Sequence, residues 1–576
     1  MNHRRYLALA TTVLVACGGE SGGGGASIAV ALPPFCVESM AAVDAWMGSV
    51  SDQRATGSEY GGQVAVGVIS DIVQGMDAFV TNEHSSAQHQ LFVNLMSLLR
   101  HDADLQMRPY LAESWELSDD GTELTFRLRD DVYWHDGTPT TAADVAFTFR
   151  RLTDPAVESP NRSVWARYDA GPDGVQVLDD RTVRFRLEPH LSALDPWRAT
   201  AIMPAHLLEQ VPIEELRSHP FHSQCPVGNG PFVFTGRVPD QNWTFAANPA
   251  FPAELGQAKV DRYVYRVIPD QSTLMAELQA GGVDLYIQPL LEQQEAIRSA
   301  DHLSLVSGPS RSLAMVAWNT RREVLGDKRV RQAITLALDR AEMLNALRGG
   351  LGRLANGTIP PGGLGYDSGI ESRMPHDPAR ARDLLSEAGW VDRDGDGIRE
   401  NAAGTPLALT VSFNSDNLER QRIAQIVQAQ LSEYGMDVGL ESGEWGTIVE
   451  RVTGPSRDFD GVTLSWISEF FVDDSDLFLS DRIDGPTAFA GLESPAVDRL
   501  LRAIPAATSL EDLDRLYQEY QEVILDEQPF LFLYYGDRVV GVNRRMEGVQ
   551  MDVRGEWATI TDWWIRPDQR RLVDDR

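Results

Sequence analysis

One run of side chains able to do chemistry is Asp392-Arg-Asp-Gly-Asp-Gly-Ile-Arg-Glu400. Carboxylates at its first, third and fifth positions and glycine at its sixth match the opening of a calcium loop, where hard oxygen ligands surround a hard cation. The twelfth position, where such a loop carries a bidentate glutamate, is Ala403, leaving Glu400 at the ninth to compensate through water. Two outcomes stay open. One is a structural Ca2+ on Asp392, Asp394, Asp396 and Glu400; the other is an acidic turn with no cofactor required. Neither is catalytic. The 11 histidines are scattered, and the closest pair, His219 and His222, is interrupted by Pro220, which spoils a helical metal-ligand pair. Gly-x-Ser-x-Gly, His-Glu-x-x-His, Cys-x-x-Cys and Walker A patterns are absent. A triad assembles from distant positions and leaves no local pattern. Even so, no nucleophile and base stand out, and the chain reads as a non-enzyme.

A chain of 576 residues asks for at least two cores. Its net charge of −33, from 84 acidic and 51 basic residues, argues against a nucleic-acid partner, because phosphate binding needs a basic surface. The start looks like an export signal. Arg4 and Arg5 precede an apolar run over 6–16 that is too short to span a bilayer. It ends in Leu14-Val-Ala-Cys17, similar to a bacterial lipobox, in which the cysteine thiol takes a diacylglycerol. Residues 18–25, rich in glycine, follow as a tether. The expectation is a signal peptide over 1–16 and a lipid anchor at Cys17. The protein would then be held in the periplasm or on the outer face of the cytoplasmic membrane. Of the two remaining cysteines, Cys36 and Cys225, a disulfide and a pair of buried thiols are equally open.

The elements that must position any site follow from periodicity. Residues 27–60 read as an N-terminal arm with a helical stretch over 38–50, and 57–62 as a linker. Leu124-Thr-Phe-Arg-Leu-Arg129 and Thr182-Val-Arg-Phe-Arg-Leu187 alternate as half-buried strands do. Helical spacing runs over 329–347, 378–388, 419–434 and 510–525. Together these predict a mixed α/β protein.

Longer blocks carry a family resemblance. They are Ala112-Glu-Ser-Trp-Glu-Leu-Ser-Asp-Asp-Gly121, the strand at 124, Trp134-His-Asp-Gly-Thr-Pro139 and Ala143-Asp-Val145. Val227-Gly-Asn-Gly-Pro-Phe232, Ala280-Gly-Gly-Val-Asp284, Trp318-Asn-Thr320, Arg329-Val-Arg-Gln-Ala-Ile334 and Ala381 to Trp390 follow in order. In these the chain resembles the family 5 extracellular solute-binding proteins, which serve importers of peptides, nickel and other solutes. The resemblance implies a two-lobe periplasmic-binding-protein fold of the large peptide-binding type, with mixed sheets and two hinge crossovers. Residues 17–62 would form the tether and arm. Residues 63–311 with 535–576 would form lobe one, and 312–534 lobe two. It implies a monomer that closes on a solute, foremost a short peptide, and presents it to an ABC permease in the cytoplasmic membrane. Nickel chelates and oligosaccharides are the alternative solutes, and an exported hydrolase is the alternative class.

The family's ligand strand carries Trp, Asp-Tyr and Asp-Pro, and the corresponding run here is Ser465-Trp-Ile-Ser-Glu-Phe-Phe-Val-Asp-Asp-Ser-Asp476. Carried over, Ser465, Trp466, Glu469, Phe470 and Asp473 face the ligand, and Glu469 stands where the family's Asp pairs with a peptide α-ammonium. Asp473 or Asp474 comes one residue late and lacks the Pro. Glu83 and His84 fall where the family has a cleft-facing loop of lobe one.

Overall fold

The computed structural model describes residues 32–571 except Asn82 and Asp416. The signal segment, Cys17 and the glycine tether lie outside the described residues.

The alternating motif at 124 behaves as a strand with one wet face. Leu124, Phe126 and Leu128 are fully buried and Arg127 is exposed. The strand Glu123–Leu128 pairs antiparallel with Ala112–Leu117 and Thr182–Arg186, and Val175–Asp179 completes a four-stranded sheet. The turn leading into it holds Gly121 at φ +71°, where a side chain would clash with its own backbone. Thr141 opens the helix Ala142–Thr153, and the Asp144 carboxylate accepts its backbone N–H at 2.8 Å.

Two larger sheets define two lobes. The first has seven strands, in the order Leu303–Gly308, Arg538–Asn543, Leu285–Ile287, Gln63–Val68, Arg262–Val267, Asn242–Ala247, Phe232–Val238. Gln63–Val68 pairs in parallel with both neighbours, and the remaining pairs are antiparallel. The second has six, in the order Gly352–Leu354, Phe530–Gly536, Ser312–Trp318, Gly461–Ile467, Ala408–Asn414, Asp437–Gly443. The chain passes from the first sheet to the second through 309–311 and returns at Asp537. The return falls two residues beyond the division at 534/535, because Tyr535 and Gly536 still pair with Arg353 and Gly352 of the second sheet.

The helical stretch at 329–347 is broken in two, Lys328–Ala337 and Arg340–Arg348. Asp339 caps the second helix by accepting the Glu342 N–H at 2.9 Å. Arg340, at the start of the second helix, is buried and donates to the carbonyls of Ala355 and Phe532. The break itself lies at Leu338, which is extended, and at Asp339, whose side chain starts the second helix as its cap.

The arm helix, Pro34–Val50, begins earlier than its periodicity suggests, with proline at its first turn. Cys36 is joined to Cys225 by a disulfide across 189 residues, which settles the question the sequence left open. Around that bond Phe35 meets His219 edge-on at 4.6 Å and Trp46 stacks on His135 at 6.0 Å. Further along, Arg54 donates to the carbonyls of Lys259 and Val260 at 3.2 Å each, and Ala55 N–H to Gln257 at 2.8 Å. The arm is a strap laid over lobe one.

Candidate ligand-binding cleft

Between the lobes lies a cavity of about 1000 Å3. Its walls come from chain segments as distant as residues 78 and 561. The lobes meet beside it. Phe470, on the loop after the strand Gly461–Ile467, is buried at 5 % exposure. The Arg311 guanidinium lies 4.4 Å from its ring centre and the Arg198 guanidinium 5.3 Å, while the His101 ring meets it edge-on at 5.1 Å. Next to it, Glu469 Oε2 is 3.3 Å from Arg311 Nη1 and 3.9 Å from Arg198 Nη2. Arg311 stands at the first passage between lobes and also donates to the Ser468 carbonyl. Two further contacts join the lobes: Arg167 Nη1 donates to Pro505 O at 3.1 Å, and Arg422 pairs with Glu292 at 2.8 Å. Burial, aided by Arg198, pushes His101 down to about 4, so its ring is neutral at physiological pH.

The loop from 468 to 475 is fixed from below. Tyr520 donates to the buried Asp474 carboxylate at 2.6 Å, Thr358 donates to the same oxygen, and Tyr517 holds Val472 O at 2.8 Å. Burial raises Asp474 to about 6, against the pull of those hydroxyls. The sequence left Asp473 and Asp474 as rivals, and the structure separates them. Asp474 is an anchor pointing into lobe two. Asp473 is exposed, lines the cavity, and accepts only the Ser475 N–H, at 3.0 Å.

Of the other expected residues, Glu469, Phe470 and His84 line the cavity. His84 Nε2 is 2.9 Å from Glu556, whose other oxygen lies 2.9 Å from Arg538 at the second passage. Burial alone would raise Glu556, but His84 and Arg538 outweigh it and hold the carboxyl down at about 2. Trp466, Ser465 and Glu83 do not line it. Alternation along the strand turns Trp466 into the lobe-two core, 6.4 Å from the Phe489 ring, and gives the cavity Ile467 instead. Ser465 is exposed and sits opposite Ala314 in the ladder. Glu83 caps the short helix His84–His89, accepting the N–H groups of Ser85 and Ser86 at 2.9 and 3.1 Å. The arginines of the cleft escaped sequence reasoning, because no spacing links Arg100, Arg198, Arg311 and Arg554 along the chain.

At the acidic loop, oxygens of Asp392, Asp394 and Glu400 come within 4.8 Å of one another. Asp396 is not in that group and accepts the Ile398 N–H at 2.8 Å. The other three carboxylates also face backbone N–H groups. Asp392 accepts from Gly395 and Gly397 at 2.7 and 3.2 Å, and Glu400 accepts from Arg393 at 2.6 Å. The turn is therefore supported from within the chain. Adding EDTA or calcium is expected to leave the melting temperature unchanged; a fall with chelator, reversed by calcium, would assign the loop a cation.

Residues 106–482 match the model of the bacterial extracellular solute-binding proteins, family 5. The oligopeptide-binding protein AppA of Bacillus subtilis is 28% identical over 523 residues, covering 90% of this chain and 94% of AppA. The solved structure of that AppA in complex with a nonapeptide superposes with a TM-score of 0.72 at 28% identity, over 88% of this chain and 99% of the other. NikZ of Campylobacter jejuni in complex with Ni(L-His) has the same fold, with a TM-score of 0.72 at 24% identity over 87% and 99% of the two chains.

Proposed function

The chain belongs to the bacterial extracellular solute-binding proteins of family 5 and is a binding protein, not an enzyme; from that premise we propose that it captures short peptides in the interlobe cleft and hands them to an ABC importer permease. The observation that carries this reading is the cavity itself. At about 1000 Å3 it lies at the upper end of small-ligand sites, which run from about 300 Å3 to about 1000 Å3. It is walled by both lobes, so a bound solute touches both and favours the closed form, which is the state a permease can distinguish.

In this reading Asp473, not Glu469, receives the peptide α-ammonium. Glu469 already faces Arg311 and Arg198, and Arg198 also faces Asp195 at 3.0 Å. Those four charges cancel, and an ammonium added there would leave an excess. Among the described residues Asp473 is the one cavity-lining carboxylate with no basic partner. Asp473→Asn is expected to weaken a free tetrapeptide by about 2 kcal/mol, roughly thirtyfold, and its N-acetylated form hardly at all. Glu469→Gln, acting through lobe contact, is expected to weaken both forms alike. Calorimetry on the two peptides tests this, and equal losses in Asp473→Asn would remove Asp473 from the ammonium site. Native mass spectrometry of gently purified protein tests the ligand class. A trapped metal chelate or sugar with no peptide binding would overturn the peptide reading.

The reading includes a monomer anchored by lipid at Cys17, motivated by the order of apolar run, small residue, cysteine and glycine tether. Cys17→Ala is expected to move the protein from the membrane to the soluble fraction. Unchanged membrane fractionation would exclude the anchor.

A further inference from the structure

We infer that the cleft selects anionic solutes and that Arg100 and Arg167 read the charge; resting on the peptide reading above, this makes acidic peptides the preferred ligands. The first ground is a reversal of sign. The whole chain carries −33, yet the residues around the cavity include seven arginines and only four carboxylates. A cavity with such walls concentrates anions against the field of the remaining surface.

The second ground is how those charges are spent. Three of the four carboxylates lie on lining arginines: Asp195 on Arg198 at 3.0 Å, Glu469 on Arg311 at 3.3 Å and Asp476 on Arg482 at 2.5 Å. Two other lining arginines have partners outside the cavity wall, Arg554 with Asp552 at 2.6 Å and Arg502 with Asp481 at 3.0 Å. Arg100 and Arg167 remain. Among the described residues neither has a carboxylate within ion-pair distance. Arg100 covers the Tyr110 ring at 4.9 Å, and Arg167 gives one N–H to Pro505 O. Both are half-buried at the cavity wall. A guanidinium carries five donors in a planar fork that fits a carboxylate with two parallel bonds, and neither fork is filled by the protein.

The third ground is placement. Arg100 and Arg167 both belong to lobe one, whereas Asp473, the unmatched acid, belongs to lobe two. A peptide bridging the lobes would offer its ammonium to Asp473 and its carboxylates to the two arginines. A neutral peptide has only its terminal carboxylate. The second arginine asks for an acidic side chain, and so for a ligand of net charge −1 or below.

The test is calorimetry at fixed ionic strength with tetra-alanine, the same peptide carrying one internal glutamate, and its glutamine counterpart. It uses the full-length protein and the variants Arg100→Gln and Arg167→Gln. The glutamate peptide is expected to bind at least tenfold more tightly than the glutamine peptide. Each variant is expected to cut that preference by about tenfold, and Arg→Lys at the same site by less. Unchanged melting temperatures separate a lost contact from a lost fold. Equal affinity for the glutamate and glutamine peptides in every variant would overturn the charge selection while leaving the peptide reading intact. Binding of a free dicarboxylate, lost in both Arg→Gln variants, with no peptide binding would support anion selection and overturn the peptide reading. Preference for a basic peptide would overturn the inference outright.

Discussion

Asp284→Ala is expected to cost about 3–5 kcal/mol of stability, because it strands a buried guanidinium. Asp284 is 1 % exposed and Arg545 5 %. Arg545 Nε and Nη2 reach the two carboxylate oxygens at 2.6 and 2.8 Å, a bidentate pair. The pair is also a junction of distant chain segments. Asp284 Oδ2 accepts the Ala65 N–H at 3.0 Å, and Arg545 Nη2 donates to Gln63 O at 3.0 Å. Gln63 and Ala65 open the first strand of lobe one, and Arg545 follows the strand that returns after the excursion through lobe two. Nothing screens a pair this deep, so removing one partner leaves a charge without compensation. Replacing both, as Asp284→Leu with Arg545→Met, is expected to recover most of the loss, since the desolvation cost of the pair disappears with it. Urea unfolding of the parent, the single variant and the double variant measures the three values. A single variant losing less than about 1 kcal/mol would show that water reaches the site.

Replacing Cys36 and Cys225 by serine is expected to cost about 2–5 kcal/mol, the upper figure following from the long loop the bond closes. The bond spans 189 residues, so its absence frees a large part of the unfolded chain. The arm has other holds. Val43 is buried in the lobe-one core and Trp46 and Met47 pack against it. These contacts should keep the helix docked at low temperature in the variant, with the loss appearing as a lower unfolding midpoint. A midpoint equal to the parent's would mean that the arm is not part of the cooperative unit of lobe one.

What the sequence disclosed and what it hid divide along physical lines. The strand at 124 was legible because one face is dry and the other wet, which writes itself as alternation. The helices Pro378–Glu387 and Leu510–Glu527 were legible for the same reason at helical period. The break at Asp339 was hidden, since an aspartate that caps a new helix looks in sequence like a surface aspartate on a longer one. In the ligand strand the residue types were legible but their directions were not. A shift of one residue exchanges core for cavity, and Ile467 takes the place assigned to Trp466, whereas Asp473 faces the cavity as expected while its neighbour Asp474 turns into lobe two. The arginine wall was illegible for a different reason. Its members share no spacing and become neighbours only when two lobes fold and meet.

The strap of the arm has a mechanical consequence. Its disulfide, its hydrogen bonds through Arg54 and Ala55, and its ring contacts at Phe35 and Trp46 all end on lobe one. Tension applied to the chain ahead of residue 32 would enter at Cys36 and leave through the covalent bond to Cys225. That load path crosses neither 309–311 nor Asp537. Lobe one would carry the pull as a bracket carries a hanging weight, and lobe two would swing on its two passages without feeling it. If the proposed anchor at Cys17 holds the molecule, it can be tugged by that end without being opened, so the occupancy of its cleft would depend on the solute and not on the force.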